Sequence, residues 1–183
     1  VRLASNHERL HAAGVELVAI SVDDEVRQAG MARRWGLSPV RMVSDPDGAR
    51  FLRPLELFDP VERGGIALPA MVGIGPDGTE FYRYRGRDFA DRTNDDDLFT
   101  AVEALGLAPV DPPPHRPSVE VPADLGGFFR PEDFAAYFRG NLFGAQAIAG
   151  RLTDPDARAV ALQHRDMAKA TVDAWQEWRT RLG

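Results

Sequence analysis

Apolar positions along this chain recur at two different periods, and the switches between them mark its elements. Leu3, His7 and Leu10 share one helical face and Gly14 follows, so Arg2 to Ala13 reads as a helix with a glycine stop. Val15 to Val22 is β-branched and nearly all apolar, the pattern of a strand covered on both faces. Asp23 and Asp24 then cap a helix running to about Trp35, with Val26, Met31 and Trp35 available for packing. Val40 to Val43 predicts a short strand, Ser44-Asp45-Pro46-Asp47-Gly48 a turn, and Ala49 to Leu55 a helical turn or two. Ala70 to Ile74 and Glu80 to Arg85 are strands joined by the turn Pro76-Asp77-Gly78-Thr79. Asp95 to Leu105 is a further helix, its acidic first turn favoured by the helix dipole.

Six of the fourteen prolines fall between Pro109 and Pro122. Such a segment is extended and semi-rigid, reaching at most about 40 Å at roughly 3.1 Å per residue. Two long helical patterns follow. Pro131 suits a first helical position, and Phe134, Phe138, Leu142, Ile148 and Leu152 form an apolar stripe. Asp154 caps and Pro155 opens the last helix, where Val160, Met167, Val172, Trp175, Trp178 and Leu182 recur at helical spacing. The expected organisation is an α/β domain over residues 1–108, a proline-rich linker over 109–130 and a helical hairpin over 131–183. The long Trp-bearing stripe needs a partner surface. That surface is either the α/β domain or a second subunit, which would make a homodimer through the C-terminal helices.

Composition narrows the function classes. The 183 residues are 44% hydrophobic and 27% charged, an ordinary globular balance. No run of eighteen apolar residues is present, so no membrane span is expected. The N-terminus lacks a charged-then-apolar signal pattern, and the cytoplasm is the expected compartment. Net charge is −6, which argues against a basic nucleic-acid footprint. Only Lys169 among the basic residues is not arginine, a pattern that reads as GC-rich coding bias. Cysteine is absent, so these residues supply no disulfide, thiolate nucleophile or cysteine metal site.

Several motifs carry candidate chemistry. His7-Glu8-Arg9-Leu10-His11 is a literal H-E-x-x-H, which on a helix presents two imidazoles to Zn²⁺ with the glutamate as general base. It makes His7 and His11 weak metal candidates for a zinc hydrolase. Two histidines on a surface or half-buried helix are the plainer expectation, because no third ligand follows. Gly73-Ile74-Gly75-Pro76-Asp77-Gly78 is a literal G-x-G-x-x-G, but a strand follows it where a dinucleotide site needs a helix. Arg83, Arg85 and Arg87 share one strand face and Tyr82 and Tyr84 the other, an arrangement able to bind single-stranded nucleic acid. The acidic surroundings favour a solvated edge instead. Asp95-Asp96-Asp97 suits a helix cap better than Mg²⁺ ligation. His115 is expected in solvent and His164 half-buried in a structural role. Ser44-Asp45 nominates a hydrolase dyad only weakly, since no glycine-flanked nucleophile turn accompanies it. No cofactor is expected.

Three segments in order resemble the thioredoxin-like fold in its peroxiredoxin-like, or redoxin, version, the alkyl hydroperoxide reductase and thiol-specific antioxidant family. They are Leu10 to Asp23 (LHAAGVELVAISVD), Val43 to Gly48 (VSDPDG) and Leu68 to Gly78 (LPAMVGIGPDG), and the resemblance covers about Val1 to Leu107. It implies an oxidoreductase acting on a disulfide or a hydroperoxide, with a thiol or disulfide protein partner. By resemblance Pro69 is the family's cis-proline, which with Leu68 presents substrate backbone. Typical peroxidatic members hold an arginine there, so Pro69 moves the match toward disulfide-exchanging redoxins. Gly75 stands where an aspartate is usual. The family's central strand and cysteine-bearing turn would precede Val1. One account is a start at an internal GTG codon, with Cys-x-x-Cys upstream. The alternative is a redox-dead module that lost the segment and serves as a binding module, holding an extended peptide at the Pro69 edge. On either account the residues present are inactive in thiol chemistry.

Overall fold

The computed structural model describes residues 2–86, 95–123 and 130–182. The N-terminal pattern folds as two short helices, α1 (Arg2–Ser5) and α2 (His7–Ala12), broken at Asn6. Asn6 Nδ2 donates back to the Arg2 carbonyl at 2.8 Å, a local bond that competes with helix continuation. Gly14 has φ 79°, and a Cβ there would come within 2.5 Å of Leu107 Cβ. Glycine therefore ends α2 and lets the chain after the last helix of this domain close onto it.

Strand β1 (Val18–Ser21), helix α3 (Glu25–Trp35) and strand β2 (Arg41–Ser44) form a parallel strand–helix–strand unit, with Val18 opposite Arg41 and Ser21 opposite Ser44. The ends of α3 follow from its flanks. The Asp24 side chain accepts from Arg27 N–H at 2.8 Å, and Gly36 stops the helix at φ 62°. β1 starts later than the apolar run because Val15 N–H still bonds to Leu10 C=O at 2.9 Å.

Residues 49–55, expected as a helical turn or two, form hydrogen-bonded turns, with Leu55 N–H donating to Phe51 C=O at 3.0 Å. Pro54 has no N–H to give a helix, and the N–H groups of Arg50, Phe51 and Leu52 all bond to the Asp45 carboxylate. After this come β3 (Phe58–Asp59), a 3-10 turn (Glu62–Gly64) and β4 (Ile66–Ala67), a two-residue antiparallel pair too short for any periodicity to announce. Strands β5 (Ala70–Ile74) and β6 (Glu80–Arg85) make the expected antiparallel hairpin, and α4 (Asp96–Glu103) follows.

The architecture is thus α/β, but in place of the expected single thioredoxin-like sheet the described residues form three two-stranded sheets, β1–β2, β3–β4 and β5–β6. Among the described residues no strand hydrogen-bonds across from β1 to β5. Helices join the pairs instead. Leu10, Leu98, Phe99 and Val102 form a buried cluster, and Leu17, Met71, Phe81 and Tyr82 pack against it.

Helices α5 (Pro131–Ala149) and α6 (Pro155–Leu182) form the expected hairpin, with Asp154 Oδ1 accepting from Ala157 N–H at 2.7 Å. It folds back on the α/β part. α6 lies against α1, and Trp35 of α3 packs among Phe134, Trp175 and Trp178, with 4.9 Å between the Trp35 and Trp175 rings. Trp178 Nε1 donates to the Trp35 carbonyl at 2.7 Å. The Trp stripe therefore finds its partner surface within the chain. Two expected stripe members are corrected. Ile148 is 56% and Val160 64% exposed, and the small Ala145 and Ala149 are the buried residues near the end of α5. The Leu182 side chain lies outside the described residues. No described helix is long and apolar enough to cross a membrane.

This packing predicts a graded response at one residue. Trp178→Phe should lower stability by about 1–2 kcal/mol, the loss of one buried hydrogen bond. Trp178→Ala should lower it by about 3–5 kcal/mol, because a cavity is added. Urea unfolding followed by far-UV circular dichroism reads both; an unchanged Trp178→Phe would contradict the hydrogen bond to Trp35, and equal effects would contradict the packing around the ring.

Candidate functional site

The histidine pair sits on α2 at the stated spacing. His7 Nδ1 is 2.8 Å from the Ala4 carbonyl, and the two rings meet edge to face with centroids 5.5 Å apart. Glu8 is exposed. Among the described residues no third histidine, aspartate or glutamate completes a metal-binding group. His11 Nε2 is buried and has no hydrogen-bond partner.

Leu68 and Pro69 link β4 to β5, and their backbone is engaged inside the chain. Leu68 N–H donates to Leu57 C=O at 2.8 Å, and the Pro69 carbonyl accepts from Gly86 N–H at 2.7 Å. The expected cis-proline is corrected, since the described chain contains no cis peptide bond. Pro69 is buried at a bend between β4 and β5, and these bonds hold the link on both sides with its peptides trans.

Other candidates resolve into structural roles. Gly78 has φ 81° in the hairpin turn, and β6 follows the G-x-G-x-x-G run, as expected. Gly73 lies against the Phe81 ring, where a Cβ would come within 2.5 Å of a ring carbon. Arg83 forms a two-pronged bond to Glu80 and donates to the Leu55 carbonyl at 2.9 Å. The cationic row is therefore interrupted at Arg83, and Arg87 lies outside the described residues. Asp95 does not cap α4 with its side chain; it is buried, 3.4 Å from Arg2 Nε. Burial raises its carboxyl pKa, and the Arg2 charge opposes that shift. His164 Nε2 is 3.3 Å from Asn141 Oδ1 in the helical hairpin, a half-buried structural histidine.

Ser44 and Asp45 form no dyad. Ser44 Oγ donates to the Asp23 carbonyl at 2.7 Å. Asp45, 3% exposed, accepts from three successive backbone N–H groups at 2.9–3.1 Å. Burial alone would raise its pKa. The donors at Leu52, Phe51 and Arg50, with the Arg50 charge, overcome that and hold the carboxyl below its ordinary value.

The feature that sequence reasoning missed is concave. The proline segment is not a free linker but a strap across the α/β part. Val110 N–H donates to His11 C=O at 2.9 Å and His115 N–H to Ser38 C=O at 2.8 Å. His115, expected in solvent, is half-buried by this contact. Two adjoining cavities lie under the strap and share His115 and Arg116. One, about 240 Å³, is also lined by Glu25, Gln28, Ser44 and Arg50. The other, about 180 Å³, is lined by His11, Glu16, Ser38 and Arg41. Proline richness signals an extended segment, but no local pattern tells where such a segment docks.

Compared with protein-family models, with curated proteins and with solved structures, the chain matches none.

Two outcomes follow from this geometry. Asp45 has a depressed folded pKa, so its stabilisation is complete above the unfolded value of about 3.9 and is lost as pH falls through the folded value. Asp45→Ala should remove about 2–4 kcal/mol at neutral pH and flatten the acid limb of a plot of urea midpoint against pH. An unchanged acid limb would contradict the assignment. Purified protein should also hold no stoichiometric zinc by plasma emission analysis. One zinc per chain, lost in His11→Ala, would restore the metal reading.

Proposed function

We propose that this chain is a redoxin-like module of the thioredoxin-like class that binds a ligand or partner and performs no thiol chemistry with its own residues. The observation that carries the reading is a combination. A parallel β1–α3–β2 unit, a proline-led β5–β6 hairpin and helix α4 occur in redoxin order, and no cysteine is present in 183 residues. Reduction of a disulfide or hydroperoxide in this class needs a thiolate of lowered pKa. An antioxidant or oxidoreductase role would therefore require a thiol from outside these residues. A cytoplasmic setting belongs to the same proposal.

The mode of binding differs from the peptide edge expected at Pro69. With Leu68 N–H and Pro69 C=O both bonded internally, two of the hydrogen-bonding groups an added strand would use there are engaged. The concave surface under the strap is the better candidate, being lined by charged and polar side chains close to ordered backbone.

The test is turnover by the 183-residue chain. Insulin-disulfide reduction with dithiothreitol, and dithiothreitol-dependent consumption of hydrogen peroxide, should both remain at the protein-free rate. A rate above that background, proportional to protein concentration, would overturn the proposal.

A further inference from the structure

Deepening the binding-module reading, on which this inference rests, we infer that the trough beneath the proline strap binds a small molecule through an oxyanion, a phosphate or a carboxylate group, held at Arg116 and Arg50. The first support is placement. The larger cavity is lined by Met42, Val43 and Ser44, at the carboxyl end of parallel strand β2, and by Glu25 in the first turn of α3. Crevices outside the carboxyl ends of parallel strands are where open α/β folds bind ligands.

The second support is charge. Five charged side chains line the two cavities: Arg41, Arg50, Arg116, Glu16 and Glu25. Glu16 is neutralised by Arg41, whose Nε and Nη2 each lie 2.8 Å from Glu16 Oε1. Among the lining charges Arg50 and Arg116 then stand against Glu25 alone, so the charged lining of the trough is net positive on a chain of net charge −6. Arg50 has its guanidinium 4.7 Å from the Phe51 ring centroid, and the nearby Asp45 carboxylate takes hydrogen bonds from three backbone N–H groups and acts on the Arg50 charge through space. Arg116 has no carboxylate partner among the described residues. Guanidinium groups not hydrogen-bonded to a carboxylate bind phosphate and carboxylate in two-pronged geometry.

The third support is an unmet hydrogen-bonding group. His11, which lines the smaller cavity, keeps its Nε2 buried and unpartnered. Leaving a buried polar atom unpaired is unfavourable, and an anion under the strap would relieve this through a bridging water or directly. Other polar groups in the trough are already committed. Gln28 Nε2 donates to the Val43 carbonyl at 2.7 Å and to Ser21 Oγ at 3.1 Å, and Ser44 Oγ donates to Asp23. The discriminating donors are therefore the two arginines and the imidazoles of His11 and His115. The cavities exceed the size of a bare anion, so the natural ligand carries the oxyanion on a larger body.

Isothermal titration with inorganic phosphate and with citrate, each at ionic strength matched with sodium chloride, tests the site. Saturable one-to-one binding of at least one of the two is expected, and which one binds distinguishes a phosphate ligand from a carboxylate ligand. Arg116→Ala or Arg50→Ala should weaken it by about tenfold. Arg179→Ala, on the exposed side of α6, should leave it unchanged. Ring-proton resonances of His11 and His115 should shift with the same saturation curve. Absence of saturable binding by both anions, or equal affinity in the wild type and both trough variants, would overturn the inference. Circular dichroism of each variant verifies the fold. Thiol turnover would sink the module reading while leaving the titration intact, and an empty titration would leave the turnover result intact.

Discussion

Trp35 occupies the point on which the arrangement of this chain depends. It ends α3, where Gly36 turns the backbone away and the last helical carbonyls lack intrahelical donors. The Trp178 indole N–H supplies one of those donors at 2.7 Å, while the Trp35 ring is enclosed by Phe134 and Trp175. A single contact thus meets a polar need and an apolar one, joining residues 143 positions apart in sequence. Aromatic rings bury much area with few rotatable bonds, so the joint fixes the angle of α6 at low entropic cost. In the same arrangement α1 lies against α6, and the proline segment between α4 and α5 runs along the α/β face, bonded to His11 and Ser38. Its second anchor, at Ser38, lies three residues beyond Trp35.

The separated strand pairs set a complementary constraint. A two-stranded pair is marginal alone, and three such pairs do not add up to a sheet. Their stability comes from the helices laid over them. Leu10 from α2 and Leu98, Phe99 and Val102 from α4 form one cluster over the β5–β6 hairpin, and Leu17 brings the approach to β1 to the same cluster. Gly14 permits this closure by its positive φ and by the absence of a Cβ beside Leu107. These elements are therefore held together by helix-to-strand packing, with no continuous hydrogen-bonded ladder between β1 and β5 among the described residues.

What could be read in advance were the features coded by neighbours in sequence. Asp24 and Gly36 bound α3, Pro-Asp-Gly turns the β5–β6 hairpin, and Asp154 with Pro155 starts α6, because caps and turns act within a few residues. What could not be read depends on distant partners. Asp45 looks like a turn residue, yet its three donors lie five to seven positions ahead. Ile148 and Val160 fit the apolar period but face outward, because the packing near the end of α5 is made by small Ala145 and Ala149. The candidate site was legible only in part. His11 stood out through its motif, but Arg50, Arg116 and His115 come together through the path of the strap, and the proline pattern carries no register for docking.

The strap gives the two ends of the chain a shared consequence. Residues 112–119 belong to the connection from α4 to the helical hairpin, and the same residues wall the trough over β2 and α3. Only two backbone hydrogen bonds, at Val110 and His115, tie its described path to α2 and to the α3–β2 turn. A segment rich in proline loses little conformational freedom when it docks, so few bonds suffice to hold it. Its prolines also lack N–H groups, so it lies against β2 without adding a strand to it. The trough therefore exists only while the strap is seated, and the strap is seated where the Trp35 joint brings the hairpin back. Anything bound beneath it stabilises the docked state by mass action, without contacting the helical hairpin itself. Packing at Trp35 and the seating of the strap are in this way two sets of contacts that hold the C-terminal half of the chain against the α/β part.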